Sequence, residues 1–197
     1  MIGIIGAKGN MGRRYRACLH YLRKTILPID VDNYLTAQYE LCDGFIIATP
    51  TETHVSIVKD LAKFGKPILC EKPVSKNLAE ILDLQIICNN IPFNMVNQYE
   101  YLGLDRRKRG HSYYDYYNHG KDGLKWDCIQ IIGQATSTIE LRETSPIWKC
   151  VINGQPLSIS QMDTAYLSML IHWMEDPGQS FSRIYDIHKK VSEFQID

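Results

Sequence analysis

The sequence predicts an α/β protein in two parts. A reduced parallel sheet layered with helices is expected over residues 1–96, and a small α+β domain with an antiparallel sheet over residues 97–197. Three observations carry this reading. The apolar run Ile2-Gly3-Ile4-Ile5 leads through a glycine-rich turn into a segment with helical spacing, which is the order of a strand–turn–helix unit. Short apolar runs then recur between amphipathic segments as far as residue 99. After residue 133 the pattern changes to alternating runs and a hairpin signal.

The glycine turn is Gly6-Ala7-Lys8-Gly9-Asn10-Met11-Gly12. Glycines at this spacing let the backbone bend sharply and come close to a pyrophosphate, which free N–H groups at the following helix N-terminus can hold. That helix is read over residues 11–24, with Met11, Tyr15, Cys18, Leu19 and Leu22 on one face. Residues 26–32 read as a second strand, and Pro28 suits an edge position because proline cannot donate to a ladder. Asp30 and Asp32 lie 18 and 20 positions past Gly12, where a carboxylate bonding the adenosine ribose is expected. An acid there repels a 2′-phosphate and favours NAD, whereas Arg13 and Arg14 could reach such a phosphate and keep NADP open. Either aspartate can equally be an ordinary turn residue.

Only residues 33–43 separate this strand from the next buried one, residues 44–48. A parallel crossover alone needs about a dozen residues, so the spacing predicts that one βα unit is lost and one short helix is kept around residues 34–41. The segment Ala48-Thr49-Pro50-Thr51-Glu52-Thr53-His54 ends the strand and opens a helix over residues 54–64, with Val55, Val58, Leu61 and Ala62 inward and Gly65 as its stop. Residues 67–70 form the following strand, which leaves Glu71-Lys72-Pro73 at its carboxyl edge. Ligands sit at that edge of open parallel sheets, and a lysine held there can serve acid–base chemistry. Taken alone, Lys72 is also compatible with a surface residue before a proline turn. A helix over residues 78–89, with Leu78, Ile81, Leu82 and Ile86 in register, and a strand over residues 93–99 bring the chain to the expected boundary near residue 96.

In the second half, residues 120–133 read as a helix, and residues 138–142 and 147–152 as strands. Asn153-Gly154 is a hairpin signal before a further short strand, Leu157-Ser158-Ile159. Helices over residues 162–174 and 182–194 close the chain, and the aromatic run Tyr113, Tyr114, Tyr116 and Tyr117 is read as strand packing.

The order of glycine-rich turn, Ala-Thr-Pro-Thr-x-x-His and Glu-Lys-Pro resembles the glucose–fructose oxidoreductase/inositol dehydrogenase (Gfo/Idh/MocA) family. The resemblance implies a Rossmann domain binding NAD or NADP through Gly6, Lys8, Gly9, Asn10, Met11, Gly12, Asp30, Asp32, Thr49, Pro50, Thr51, His54, Glu71, Lys72 and Pro73. Lys72 would lie near the nicotinamide as a proton relay, after a cis bond to Pro73. Asn97, Tyr99 and Tyr101 would border a substrate cavity. Residues 120–133 correspond to the family's first helix of the second domain. Asp127 matches its later aspartate, but Leu124 stands where the family has a catalytic histidine, and His119, just upstream, is the nearest substitute or a solvated loop residue. The implied reaction is hydride transfer between nicotinamide and a sugar, polyol or sugar nucleotide. A non-catalytic dinucleotide-binding protein and a subunit active only with a partner chain are the alternatives.

Composition limits the partners. Twenty-two basic residues balance twenty-two acidic ones, so no global field attracts nucleic acid or an anionic membrane. The single basic run, Arg106-Arg107-Lys108-Arg109, is a solvated loop or a phosphate clamp. Six scattered cysteines, without paired or metal-ligand spacing, read as reduced thiols of a cytoplasmic protein with no metal site. Neither a leader nor a bilayer-length apolar run is evident. The abbreviated second sheet is expected to cover itself by forming a homo-oligomer.

Overall fold

A computed structural model of the chain describes residues 1–104, 109–115, 120–134, 139–142 and 149–196. The fold divides into two compact units, Met1–Val96 with Leu170–His188, and Asn97–Met169 with Lys189–Asp197.

In the first unit the order is β1 (Ile2–Ile5), α1 (Asn10–Tyr21), β2 (Ile26–Ile29), β3 (Gly44–Ile47), α2 (Thr51–Ala62), β4 (Ile68–Cys70), α3 (Leu78–Ile87) and β5 (Phe93–Met95). The five strands form one parallel sheet in the order β2-β1-β3-β4-β5. Residues of β1, β3 and β4 are buried throughout, as expected for a parallel sheet covered on both faces. Ile4, Phe45, Ile46 and Ile68 are fully buried, each side chain contributing roughly 1.5–3 kcal/mol. Register aligns Ile5 with Ile29 and Ile47, Ile47 with Cys70, and Cys70 with Met95. The turns after these strands therefore emerge in one row along the carboxyl edge.

The helices follow the apolar spacing, with shifts. Gly12, Tyr15, Cys18 and Leu19 of α1 are buried. In α2 the inward face is His54, Ile57, Val58 and Leu61, displaced from the predicted one. The helix starts at Thr51, not at residue 54, and Val55 and Ala62 are only half-buried while His54 and Ile57 face inward. In α3, Asn77 caps the N-terminus by accepting from the Ala79 N–H at 2.9 Å. Ile81 and Leu84 are buried, while Leu82 and Ile86 point to solvent, because this helix is apolar on nearly every side.

A βα unit is missing between β2 and β3, which makes β2 an edge strand carrying Pro28. The short helix expected over residues 34–41 is absent; only a single 3₁₀ turn forms at Tyr39–Leu41. Two interactions account for this. Asn33 accepts from the Asp30 N–H at 2.7 Å and donates to the Pro28 carbonyl at 3.1 Å, so its side chain competes with helical hydrogen bonding. Tyr39 stacks on Phe64 with ring centroids 5.4 Å apart, which pins the segment to the sheet as turns.

The opposite edge, β5, is covered by the chain's return. Gln179 donates its N–H to the Phe93 carbonyl at 2.8 Å and accepts from the Met95 N–H at 2.9 Å. Phe181 stacks on Phe93 at 5.0 Å.

The second unit contains β6 (Ser112–Asp115), α4 (Gly120–Gln134), β7 (Ile139–Arg142), β8 (Cys150–Ile152) and β9 (Gln155–Pro156), with α5 (Ile159–Glu175) and α6 (Phe181–Glu193) divided between the units. The sheet order is β7-β6-β8-β9. It is mixed, not wholly antiparallel as the sequence predicts, because β6 and β7 pair parallel. Helix α4 lies between them in sequence and returns the chain to the end from which β6 started. Asn153 and Gly154 adopt positive φ, +50° and +75°, in the β8–β9 hairpin, as their sequence signals. Leu157-Ser158-Ile159 forms no strand, since Ile159 already begins α5.

Candidate functional site

The glycine turn closes on its own backbone. Gly6 has φ +79°, and a Cβ at this position would lie 2.7 Å from the Ala48 carbonyl oxygen. At Gly12 a Cβ would lie only 2.1 Å from the Gly6 oxygen, so nothing larger than glycine fits. The Gly6 and Ala7 N–H groups both donate to the Ile29 carbonyl, at 2.9 and 3.1 Å. Gly9 caps α1 without a side-chain hydrogen bond, and no acid stands in the helix's first turn. The resulting cradle is lined by backbone at the positive end of a helix dipole and fits a pyrophosphate.

The two aspartates after β2 have different surroundings. Asp30 accepts from the Lys8 N–H at 2.9 Å through one oxygen and from the Val31 N–H at 3.0 Å through the other. Asp32 is exposed and pairs with Lys8 Nζ at 2.8 Å. That hydrogen bond holds the Asp32 carboxyl below its usual range and raises the Lys8 ammonium. Asn10 accepts from the Arg13 guanidinium at 2.7 Å, and Met11 is half-buried.

The next two turns along the carboxyl edge are joined by side chains. Pro50 precedes α2, whose first residue is Thr51, and the Thr53 hydroxyl reaches Thr49 Oγ1 at 2.8 Å and the Pro50 carbonyl at 2.7 Å. His54 is buried, with Nε2 2.8 Å from the Thr49 carbonyl oxygen and Nδ1 2.7 Å from that of Pro73. The ring thereby ties the Ala-Thr-Pro-Thr segment to Glu-Lys-Pro. Glu71 is buried, accepting from Tyr15 Oη at 2.6 Å and from the Lys72 N–H at 3.1 Å. Burial pushes its carboxyl up, against the Tyr15 hydrogen bond and the Lys72 charge, which pull it down. Lys72 itself is half-buried, and the Lys72–Pro73 peptide is cis, as the resemblance implies. Val74, fully buried, donates its N–H to His188 Nε2 at 3.1 Å.

Asn97, Tyr99, Tyr101 and Asp127 belong to the second unit. Asp127 is buried and accepts from Tyr114 Oη at 2.7 Å, which links α4 to β6. Tyr99 is buried nearby; desolvation, then the Asp127 and Tyr114 charges, hold its phenol well above the usual range. Asn97 is buried and Tyr101 is half-buried. Leu124 is a core residue. His119 and residues 106–108 of the basic run lie outside the described residues. Among the described residues no cluster of histidine, cysteine or acid could hold a metal, and no helix is long and apolar enough to cross a membrane. All six cysteines are buried free thiols.

Two residues of this region escape the sequence motifs. Tyr15 announces itself only as a polar-tipped aromatic on the inward face of α1. His188 has no local signal at all, since its partner lies 114 positions away.

Residues 29–90 match the Gfo/Idh/MocA family, described as an oxidoreductase family with an NAD-binding Rossmann fold. The matched stretch contains the Ala-Thr-Pro-Thr and Glu-Lys-Pro segments and begins after the glycine turn. The rhizopine catabolism protein MocA of Rhizobium meliloti is 64% identical over 31 residues, a stretch spanning 16% of this chain and 10% of that relative's length. Among solved structures, a probable dehydrogenase from Thermotoga maritima aligns with a TM-score of 0.69 at 12% identity, over 97% of this chain and 94% of that one. The WlbA dehydrogenase of Thermus thermophilus, crystallised with NAD and UDP-GlcNAcA, aligns at 0.65 and 11%, over 97% and 93%. A myo-inositol dehydrogenase from Corynebacterium glutamicum aligns at 0.65 and 12%, over 97% and 94%. At these identities the likeness is one of fold. Residues 29–90 resemble the Gfo/Idh/MocA oxidoreductases, and the chain shares the fold of the aligned dehydrogenases.

Proposed function

We propose that the protein is an NAD(P)-dependent oxidoreductase, with NAD as the preferred cofactor, acting on a sugar, polyol or sugar nucleotide. The observation that carries this reading is the bracing of the segment bearing Lys72. Glu71 is tied to α1 and Pro73 to the Thr49 turn, on the same sheet edge as the glycine cradle. Backbone N–H groups of the cradle hold the pyrophosphate, and Asp32 faces the adenosine ribose, its acidity disfavouring a 2′-phosphate. Thr49, Pro50 and Thr51 border the dinucleotide. Bound nicotinamide supplies the hydride acceptor or donor. Lys72 moves the proton at the substrate oxygen, taking it during oxidation and returning it during reduction. Asn97, Tyr99, Tyr101 and Asp127, the last held by Tyr114, are the second unit's candidates for substrate contact.

A neighbour named as a myo-inositol dehydrogenase and one crystallised with UDP-GlcNAcA support the substrate class. Six free buried thiols suit the reducing cytoplasm. Self-association through the β6–β7 face would use the ionic cluster His111, Glu140 and Arg142 beside Tyr113, and light scattering at micromolar concentration tests it.

The deciding experiment follows nicotinamide absorbance across a panel of sugars, polyols and sugar nucleotides for wild type, Lys72→Met and Asp127→Asn. Turnover should fall by about two to four orders of magnitude in Lys72→Met while NAD affinity stays constant. Tight NAD binding with no turnover of any panel member would instead favour a non-catalytic dinucleotide-binding protein, the reading that Leu124 in the place of the family histidine supports.

A further inference from the structure

The backbone around Lys72 is held from both sides by imidazole rings. His54 takes the Pro73 carbonyl, as described above. On the other side His188, from the part of α6 that belongs to the first unit, receives the N–H of Val74 at 3.1 Å. The ring's proton arrangement follows from its second contact. Nδ1 lies 2.8 Å from the Ile184 carbonyl oxygen, an acceptor only, so Nδ1 carries the hydrogen and Nε2 presents its lone pair to Val74. His188, Val74 and Ile184 are all buried, so water does not substitute for either bond. Burial pushes the imidazolium down to about 4, outweighing the Ile184 carbonyl's pull in the other direction. The ring is therefore neutral, and its acceptor available, throughout the neutral range.

Two hydrogen bonds flank the Pro73–Val74 peptide, His54 at the Pro73 carbonyl and His188 at the Val74 N–H. Pro73 has no N–H to offer, so the backbone donor following Lys72 is that of Val74, and it is given to a side chain instead of a strand. The N–H two residues past the carboxyl-edge lysine is thus held by a residue 114 positions further along the chain.

We propose that His188 is a positioning residue for Lys72: its Nε2 lone pair fixes the Val74 N–H and so sets where the Lys72-Pro73 backbone holds the lysine amine. The proposal rests on the reading of Lys72 as the proton relay, but it can be tested without turnover. His188→Phe keeps the ring shape and removes the acceptor; His188→Gln offers a carbonyl oxygen in its place.

The expected results are as follows. The Val74 amide exchanges with solvent about a hundredfold faster in His188→Phe, while the Ile46 and Leu69 amides keep their protection. The ¹³C resonance of reductively methylated Lys72 moves in His188→Phe and returns in His188→Gln, and the affinity for NAD is the same in all three proteins. On any substrate turned over, kcat falls about tenfold in His188→Phe with KM unchanged, and the glutamine variant recovers most of the loss. A Lys72 resonance that is identical in wild type and the phenylalanine variant, or one that glutamine fails to restore, overturns the proposal. Should His188→Phe not fold, the ¹⁵N spectrum of the wild-type ring decides, since a hydrogen on Nε2 at neutral pH contradicts the geometry. A wild type that binds NAD yet turns over nothing refutes the enzymatic reading alone, because the exchange and Lys72 spectra still report on His188.

Discussion

Tyr15 and Glu71, 56 positions apart in sequence, share a buried hydrogen bond of 2.6 Å. It is a direct link between the helix behind the glycine cradle and the segment that carries Lys72. Burying a carboxyl group is costly unless its oxygens are occupied. Here the phenol takes one oxygen and the Lys72 N–H the other. The same pair therefore makes burial of Glu71 tolerable and fixes the distance between the cofactor cradle and the lysine.

Tyr15→Phe removes the phenol and leaves one buried oxygen of Glu71 unmatched. The expected cost is about 1–3 kcal/mol, read as a fall of several degrees in Tm by calorimetry. Double replacement with Glu71→Leu should recover part of the loss, since no buried carboxyl oxygen then lacks a partner. An unchanged Tm in Tyr15→Phe would show that the bond carries no stability.

At the glycine turn, two substitutions should separate folding from binding. A Cβ at Gly12 meets the Gly6 oxygen at 2.1 Å, so Gly12→Ala should be strongly destabilised. At Gly9 the nearest atom to a Cβ is 3.3 Å away, and Gly9→Asp should fold. It nevertheless puts a carboxylate where the pyrophosphate belongs, and NAD binding, followed by titration calorimetry, should vanish. Unchanged affinity in Gly9→Asp would remove the cradle assignment.

The two aspartates after β2 should behave differently. Asp30→Asn leaves one of two backbone N–H groups without its charged acceptor, so the turn loosens and affinity for NAD and NADP falls together. Asp32→Asn releases Lys8 from its ion pair and removes the charge opposed to a 2′-phosphate. NADP affinity should then rise relative to NAD, as competitive titration with both dinucleotides would record. Equal effects of the two variants on the NAD-to-NADP ratio would contradict the division of roles.

Acid should destabilise the first unit through His188. Its pKa is about 4 in the fold and near 6.5 when unfolded, so the unfolded chain gains the proton first as pH falls. The ring's contribution is fully present above pH 6.5 and is lost between 6.5 and 4, up to about 3 kcal/mol. Urea unfolding across that window should be shallower with pH in His188→Gln, which has no titrating group. Parallel pH dependences in the two proteins would contradict the origin of the effect.

Much of the first unit was legible because its signals are local. An apolar run before Gly6, the spacing of Tyr15, Cys18 and Leu19, and the position of Glu71-Lys72-Pro73 after a buried strand each lie within one turn or one strand. The loss of a βα unit was readable from chain length between Asp32 and Gly44. What replaces it was not, because the helix propensity of residues 34–41 yields to Asn33 side-chain bonds and to the stacking of Tyr39 on Phe64. The parallel pairing of β6 with β7 was missed for a related reason, since alternation identifies a strand but not its partner. Along the dinucleotide cradle the glycines were evident from sequence, whereas the different surroundings of Asp30 and Asp32 depend on which backbone N–H groups the fold brings near. Tyr15–Glu71 and Val74–His188 join distant segments, and no window of sequence contains both members of either pair.

The return of Gln179 to β5 has a consequence for synthesis on the ribosome. Met95 waits for a partner made 84 residues later. At roughly 5–20 residues per second that interval is about 4–17 seconds. During it the nascent sheet presents the Met95 N–H and the face of Phe93 to whatever is near, including a neighbouring nascent chain on the same message. The first unit is thus encoded in two pieces, and its last edge can close only once Gln179, just ahead of α6, has been made.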